Sequence, residues 1–94
     1  MSSNNRLARD ILVLDAKDNV AVCLRDLVAG EKVVAASGGE TMAAIALDAI
    51  PAGHKICMRK IEEGAQVVKY GEIIGKATAS ISVGQHVHVH NVTD

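Results

Sequence analysis

A short pattern that recurs four times constrains the fold of this chain most strongly. In each copy a glycine stands midway between two apolar residues, three positions from each. We call the copies corners 1 to 4, and they span residues 27–33, 50–56, 61–67 and 81–87. The glycine is expected to adopt a positive φ, which lets the chain turn while both apolar ends stay in the core. Four such corners predict short strands and tight turns rather than helices, and their irregular spacing argues against a solenoid.

The segments between the corners complete a small all-β domain of short strands and tight glycine turns. We predict a disordered lead-in over residues 1–6 and one domain over residues 7–94, with at most one short helical turn. Asp15 and Asp18 are expected to be solvated turn residues. Predicted strands cover residues 7–14, 20–24, 32–36, 41–50, 54–59, 66–69, 72–78 and 86–91, with turns at 15–19, 37–40 and 70–71.

The composition predicts a thin core. Hydrophobic residues make up 49% of the 94 residues, yet Tyr70 is the only aromatic one. A core of small aliphatic side chains leaves apolar surface for a partner or a second copy to cover, so a homo-oligomer is one expectation. The formal net charge of -1 gives no indication of binding to nucleic acid or to an anionic membrane.

Cysteine usage and the N-terminus favour a soluble cytoplasmic domain. Cys23 and Cys57 form no CxxC motif and are expected to be buried, reduced thiols. The first residues are polar and lack the apolar region of a secretory signal. No apolar run approaches the ~18 residues that a membrane span needs.

The segment 84–91 carries three of the four histidines, at every second position. If it is a strand, His86, His88 and His90 share one face while Val87 and Val89 point into the core. Neighbouring histidines then stand ~6.6 Å apart at Cα, so two of them can share one metal ion, and all three only if the strand bends. Two interpretations remain: a polar, partly solvated strand face, or a site for substrate or metal with further ligands from elsewhere, such as Glu72.

Two other short segments carry candidate functional side chains. His54 and Lys55 follow the glycine of corner 2, and on a strand they would point to opposite faces. Lys69 and Tyr70 precede Gly71 at a predicted kink, where they are able to face an anionic substrate. The alternatives are an exposed amine for each lysine and, for Tyr70, a ring that caps a core without other aromatics.

Three segments together, residues 50–56, 68–78 and 84–91, resemble the N-terminal SAF-type domain of altronate and galactarate dehydratases. The resemblance covers roughly residues 8–92 and implies a β-clip fold. It also implies a sugar-acid dehydratase that uses a divalent metal, usually iron (Fe²⁺), held in part by a larger region of the protein. That larger region is absent from this chain, so the resemblance implies a small subunit working with a large catalytic subunit. The family includes (2R)-sulfolactate sulfo-lyase, whose small subunit has a similar size.

The resemblance also implies roles for individual residues. The matching positions are His54, Lys55, Lys69, Tyr70, Glu72, His88, His90 and Asn91, whereas His86 falls where the family varies. As expectations, His54, His88 and Tyr70 are catalytic, Lys55, Lys69 and Asn91 bind the substrate, and His88 and His90 bind the metal.

Three functions therefore compete. The first is the small subunit of a sugar-acid dehydratase, inactive without its large subunit. The second is the corresponding subunit of a sulfolactate sulfo-lyase, which eliminates sulfite instead of water. The third is a non-catalytic module that binds the sugar acid or supports assembly of the large subunit, and an isolated metal-binding domain is a further possibility.

Overall fold

Nine short strands and no helix make up the part of the chain that the structure, a computed structural model, describes: residues 10–37 and 40–94. The all-β prediction is confirmed, and no helical turn is present among these residues. The predicted lead-in, residues 1–6, and the tip of the predicted turn at 37–40 lie outside the described residues. The strands are β1 (Ile11–Leu12), β2 (Val20–Cys23), β3 (Lys32–Ser37), β4 (Glu40–Ile45), β5 (Lys55–Cys57), β6 (Gln66–Lys69), β7 (Glu72–Ala77), β8 (His86–Val87) and β9 (Val92–Thr93).

The strands form three antiparallel sheets. A central sheet has the order β1-β2-β5-β8, β3 and β4 form a two-stranded hairpin, and β6, β7 and β9 form the third sheet. Alternate residues of β2 and β5 pack into two different cores: Ala21 and Ile56 into one, Val20 and Cys57 into the other. Because successive side chains of a strand point to opposite faces, the central sheet has a core on each face.

The four corners have the conformation that their sequences predict. Their glycines all have positive φ values, 92°, 86°, 85° and 95° for Gly30, Gly53, Gly64 and Gly84. All eight apolar end residues are buried: Leu27, Val33, Ile50, Ile56, Ile61, Val67, Ile81 and Val87. The corners also meet in pairs, because Leu27 bridges to Ile50 and Ile61 bridges to Ile81. Corners 1 and 2 therefore enclose the β3–β4 hairpin, and corners 3 and 4 enclose the β6–β7 hairpin.

The predicted strand over residues 86–91 is wrong. β8 ends at Val87, the chain turns through residues 88–91, and β9 then pairs with β7. The backbone NH of Asn91 donates to the carbonyl of His88 at 3.1 Å, which closes the turn. Val89, which was expected in the core, lies at the tip of this turn and is 82% exposed.

Apolar surface remains exposed on this thin domain, which measures 43 × 26 × 18 Å. Ile45, Leu47 and Val83 are each at least 40% exposed and line a shallow groove. The expectation that a partner or a second copy covers apolar surface stays a prediction. Among the described residues, no helix is long and apolar enough to cross a membrane.

Candidate functional site

All four histidines of the chain gather where corners 2 and 4 lie side by side. In the β5–β8 pair, Lys55 lies opposite Val87 and Ile56 lies opposite His86. One further step in this antiparallel register brings His54 opposite His88, where cross-strand side chains are in contact. The rings of His54 and His88 accordingly stack with centroids 3.8 Å apart and an interplanar angle of 13°.

The other two rings lie beside this stack. The ring centroid of His86 lies 5.1 Å from that of His54 and 4.9 Å from that of His90. Nδ1 of His54 and Nε2 of His86 are 2.9 Å apart, so one of the two nitrogens donates a hydrogen bond to the other. We call His54, His86, His88 and His90 the histidine cluster.

Three members of the histidine cluster have the geometry of a ligand set. One ring nitrogen from each of His54, His86 and His88 lies within 4.8 Å of the other two. Nδ1 of His88 is buried and has no hydrogen-bond partner among the described residues. Buried polar atoms are almost always paired, so an unpaired ring nitrogen at the centre of three imidazoles is suited to accept a proton or a metal ion.

The surroundings of His86 and His88 favour the neutral form of these two imidazoles. Burial lowers the pKa of His86 below its ordinary value, and His90, His54 and His88 lower it further against a smaller opposing effect of Asp48. Burial also lowers the pKa of His88, with smaller contributions from His54, Lys55 and His90. Neutral imidazole is the form that accepts a proton or binds a metal ion.

Two lysines add positive charge beside the histidine cluster. Burial lowers the pKa of Lys55, and the charge of Lys69 lowers it further, which shows that the two ammonium groups are within electrostatic reach of each other. Lys55 and His88 line one shallow pocket of about 180 Å³. Although they were expected on opposite faces of one strand, His54 and Lys55 both border His88, because His54 lies in the bend before β5. Lys55 gives this pocket a positive charge that favours an anionic ligand, and Asp94, which also lines the pocket, opposes that effect.

Tyr70 joins this region through Lys69. The Nζ atom of Lys69 lies 5.3 Å from the centroid of the Tyr70 ring. Tyr70 and Gly71 have φ values of 56° and 78°, the combination that occurs in type I′ hairpin turns, and the predicted turn at 70–71 is confirmed. Tyr70 is 37% exposed, and both its role as a cap on the core and its catalytic role stay predictions. Glu72 lies opposite Lys69 at the start of β7, outside the group of ring nitrogens.

A buried carboxylate holds this hairpin in position. Oδ1 of Asp18 accepts a hydrogen bond from the NH of Gly71 at 2.8 Å, and Oδ2 accepts from the NH groups of Leu14 and Asp15 at 3.2 Å each. Asp18 is 1% exposed, so its prediction as a solvated residue is wrong. The three donors satisfy the carboxylate and join the turn at 15–19 to the hairpin that presents Lys69 and Tyr70.

Asn91 uses its side chain to shape the turn after β8. Its Oδ1 accepts a hydrogen bond from the NH of His88 at 3.0 Å, and its Nδ2 donates to the carbonyl of His86 at 2.9 Å. The residue is 8% exposed. Its predicted role as a substrate ligand stays a prediction, while the structure shows a positioning role for it.

The sequence therefore predicted where the site lies more accurately than which histidines come together there. The structure brings His54 and His86 to His88, whereas His90 lies beside His86 and outside the group of three nitrogens. Metal binding by His88 and His90 stays a prediction. His86, which falls where the family varies, also belongs to this group, because β8 begins at His86 and pairs with β5 next to His54.

Comparison with known proteins identifies relatives over nearly the whole chain. The family model described as the altronate/galactarate dehydratase SAF domain matches residues 9–94. Altronate dehydratase of Bacillus subtilis (strain 168) is 39% identical over 83 residues, and that of Escherichia coli (strain K12) is 42% identical over 78 residues. These matches cover 88% and 83% of this chain but only 16% and 15% of the two relatives.

A third relative is close to this chain in length. The (2R)-sulfolactate sulfo-lyase subunit alpha of Chromohalobacter salexigens is 38% identical over 86 residues. The match covers 88% of this chain and 92% of that subunit. The same domain thus exists both as a small separate chain and as a small part of much longer ones.

Proposed function

The chain belongs to the altronate/galactarate dehydratase SAF domain family, and on that premise we propose that it is the small subunit of a two-chain lyase that eliminates water from a sugar acid. The observation that carries this proposal is the histidine cluster beside the two ammonium groups of Lys55 and Lys69. Such a surface offers proton acceptors and a binding place for a carboxylate within one region.

The chemistry of dehydration explains why these groups belong together. A base removes a proton from the carbon next to the carboxylate, and the electron pair of that C–H bond forms the new double bond. The hydroxyl on the neighbouring carbon leaves with a proton as water. The reaction needs a base, an acid or metal at the leaving oxygen, and a cation near the carboxylate.

The described residues match these needs. Lys55 and Lys69 bind and orient the substrate carboxylate, as paired cations do for an anion. His54 or His88 takes or supplies the proton. Nδ1 of His88 has no hydrogen-bond partner among the described residues, and an imidazole nitrogen of this kind is able to accept a proton. Tyr70, presented beside Lys69, donates a hydrogen bond to a substrate hydroxyl. Asn91 and Asp18 position these side chains through the turns they hold.

A divalent metal ion fits this chemistry. The buried, unpartnered Nδ1 of His88, grouped with ring nitrogens of His54 and His86, is the feature of this chain that suits such an ion. When bound, iron or another divalent ion supplies Lewis-acid assistance at the leaving oxygen. In the assembled enzyme the larger chain contributes further ligands.

The need for a second chain is supported by the sizes of the relatives. In the altronate dehydratases the matching segment accounts for 15–16% of the protein, so most of those chains lies outside this domain. The sulfo-lyase relative of nearly the same length is itself named a subunit. We therefore propose that a large chain of the same family completes the active site and that the protein acts in the cytoplasm.

Elimination of sulfite from sulfolactate is the second candidate reaction. The match to the sulfo-lyase subunit alpha along 92% of that small chain favours it. The two reactions share the proton abstraction next to a carboxylate and differ in the leaving group. The same lysines and histidines therefore serve either one.

Reconstitution with the large chain tests the proposal. A large chain of the same family is coexpressed with this chain, and the pair is assayed on altronate, galactarate and (2R)-sulfolactate. We expect no turnover by either chain alone and turnover of one substrate class by the pair. Replacing Lys55 and Lys69 by Ala together is expected to raise KM at least ~10-fold, because the carboxylate loses both cations. Lys60→Ala is the matched control, since Lys60 is an exposed lysine that directly precedes corner 3.

Two results contradict the proposal. Turnover of any of these substrates by the lone chain would show that no second chain is required. An unchanged KM and kcat for the double lysine variant, in a pair that still assembles, would leave this chain as an assembly module without a substrate-binding surface.

A further inference from the structure

We propose that His54, His86 and His88 bind one divalent transition-metal ion and that they do so in this chain alone, without the larger chain. The inference stands apart from the lyase function, because it depends only on the geometry and chemistry of three side chains. It also differs from the pair that the sequence suggested, since it includes His54 and His86 and leaves out His90.

The distances between the ring nitrogens are close to those of a loaded site. Two imidazole nitrogens bound to one ion at ~2.1 Å are about 3.4 Å apart when the coordination is tetrahedral. Nδ1 of His54 and Nε2 of His86 are already 2.9 Å apart, and the widest separation among the three nitrogens is at most 4.8 Å. Because the rings of His54 and His88 are stacked with an interplanar angle of 13°, at least one of them must turn about its side-chain torsions before both nitrogens point at one ion.

The three ligands lie in or next to corners 2 and 4, whose strands β5 and β8 pair with each other. This pairing holds the three backbones in place before an ion binds. His54 directly follows the glycine of corner 2, and His86 and His88 flank the last residue of corner 4. The β5–β8 register fixes these backbones side by side, and Asn91 ties the backbone NH of His88 and carbonyl of His86 to one side chain. Further, the backbone NH of His86 donates to Oδ2 of Asp48 at 2.9 Å. Three ligands held by a rigid backbone lose little freedom when an ion binds.

The burial of one ring nitrogen is energetically unfavourable if the histidines bind nothing. Nδ1 of His88 is buried without a partner, and leaving a buried polar atom unpaired costs about 1–3 kcal/mol. An ion at the centre of the three rings would satisfy that nitrogen. The remaining coordination positions would stay open to water or an anion, which is typical of catalytic rather than structural sites.

The donor set selects the class of metal. The group contains three imidazoles and, among the described residues, no carboxylate or thiolate. Imidazole suits zinc, iron, cobalt, nickel and copper, whereas magnesium and calcium prefer oxygen ligands. We therefore expect binding of Zn²⁺ and Co²⁺, and of Fe²⁺ under reducing conditions, but not of Mg²⁺.

Titration of the tag-free 94-residue chain tests the inference. Zinc binding is followed by calorimetry, and cobalt binding by its visible absorption, which reports the number of nitrogen ligands. We expect one ion per chain with a micromolar Kd and no heat from Mg²⁺ at the same concentrations. His54→Ala, His86→Ala and His88→Ala are each expected to weaken binding at least ~30-fold, because two imidazoles remain.

His90→Ala discriminates between the two ligand assignments. It removes a histidine of the same cluster that lies outside the group of three nitrogens, and it is expected to change Kd less than threefold. Thermal unfolding of each variant, together with His88→Gln as a variant that keeps side-chain volume, separates lost ligands from lost folding. Absence of zinc binding below millimolar concentrations overturns the inference. Equal weakening by His90→Ala and His88→Ala also overturns it.

Discussion

Asn91 sets the position of the last three histidines through two hydrogen bonds. Its side chain accepts from the NH of His88 and donates to the carbonyl of His86. A side chain that bonds to nearby backbone groups competes with strand pairing and favours a turn. The chain therefore leaves the central sheet after Val87, so that His88 stacks on His54 while His90 lies beside His86.

The buried cysteines provide a test of packing around the site. Burial raises the pKa of both thiols from the ordinary value of 9.0 to about 11, although Arg25 partly offsets this for Cys23 and the backbone of Arg59 for Cys57. Because only the thiolate is nucleophilic, we expect alkylation by iodoacetamide at pH 8.5 to be at least ~100-fold slower in the folded chain than in guanidinium. Mass spectrometry of timed samples measures this difference.

The same pKa values give the direction in which pH changes the stability of the folded chain. Each thiol is neutral in the folded chain up to about pH 11 but ionises near pH 9 when the chain unfolds. Its contribution to stability is therefore complete below pH 9 and is lost as the pH rises to about 11. Rapid alkylation of both cysteines in the folded chain at pH 8.5 would contradict this description of the two cores.

At this scale the sequence identified residue types more reliably than their environments. His54 and Lys55 were recognisable because they follow a corner glycine, Lys69 because it stands beside the single tyrosine, and the other histidines because they alternate in one segment. The burial of Asp18 was not predictable, since its partner Gly71 lies far along the sequence. The same holds for the contact between His54 and His86, because the pairing that creates it is set by the sheet register.

The corners act as two linked pairs at the scale of elements. Each pair is joined by reciprocal backbone hydrogen bonds of 2.8–3.0 Å, between Leu27 and Ile50 and between Ile61 and Ile81. The glycines of corners 2 and 4 make equivalent backbone hydrogen bonds: the NH of Gly53 donates to the carbonyl of Cys23, and the NH of Gly84 donates to the carbonyl of Cys57. The chain thus repeats one corner–hairpin–corner unit. The irregular spacing of the corners follows from hairpins of different length.

Gly84 is the most constrained of the four corner glycines. A Cβ atom there would overlap the carbonyl oxygen of Ile45, whereas a Cβ on Gly64 would meet no atom within 4 Å. Gly64→Ala is expected to lower the free energy of unfolding by about 1–2 kcal/mol, the penalty for a side chain at positive φ. Gly84→Ala should lower it by at least ~2 kcal/mol more, because Ile45 or corner 4 must move.

Urea unfolding of both variants measures the difference. Their φ values, 85° and 95°, are nearly the same, so Gly64→Ala controls for backbone strain. Since corner 4 carries His86, Gly84→Ala is also expected to disturb the histidine cluster. Equal losses of stability in the two variants would contradict the close approach between corner 4 and β4.

Elements were predictable where the cause is local. A glycine midway between two buried apolar residues fixes a corner by itself, and all four corners appear as predicted. The end of β8 depends instead on Asn91 and on pairing of β9 with β7, a contact between distant segments. The alternation of valine and histidine favours a continuous strand over residues 86–91, but the pairing of β9 with β7 outweighs this local preference.

At the scale of the whole molecule, the four histidines and Lys55 gather at one edge of a thin, aliphatic domain. Both cores lie against the central sheet, and this group lies where β5 begins and β8 ends. The family membership and the all-β class were accessible from the sequence, because its motifs lie in the right order and its corners are local. The set of residues that form the site was not accessible from the sequence, because it depends on which strands pair: β5 with β8, and β6 with β7. A shallow surface of this kind is half of a site, which a larger chain completes in our proposal.

The most direct test of this account is the turnover of the reconstituted pair when this chain carries His54→Ala. His54 is the member of the histidine cluster that comes from corner 2, and it stacks directly on His88. We predict that kcat falls at least ~100-fold, as expected when a proton-transfer group or its close neighbour is lost, while the pair still assembles. A kcat within twofold of the unsubstituted pair would contradict the claim that this surface takes part in catalysis.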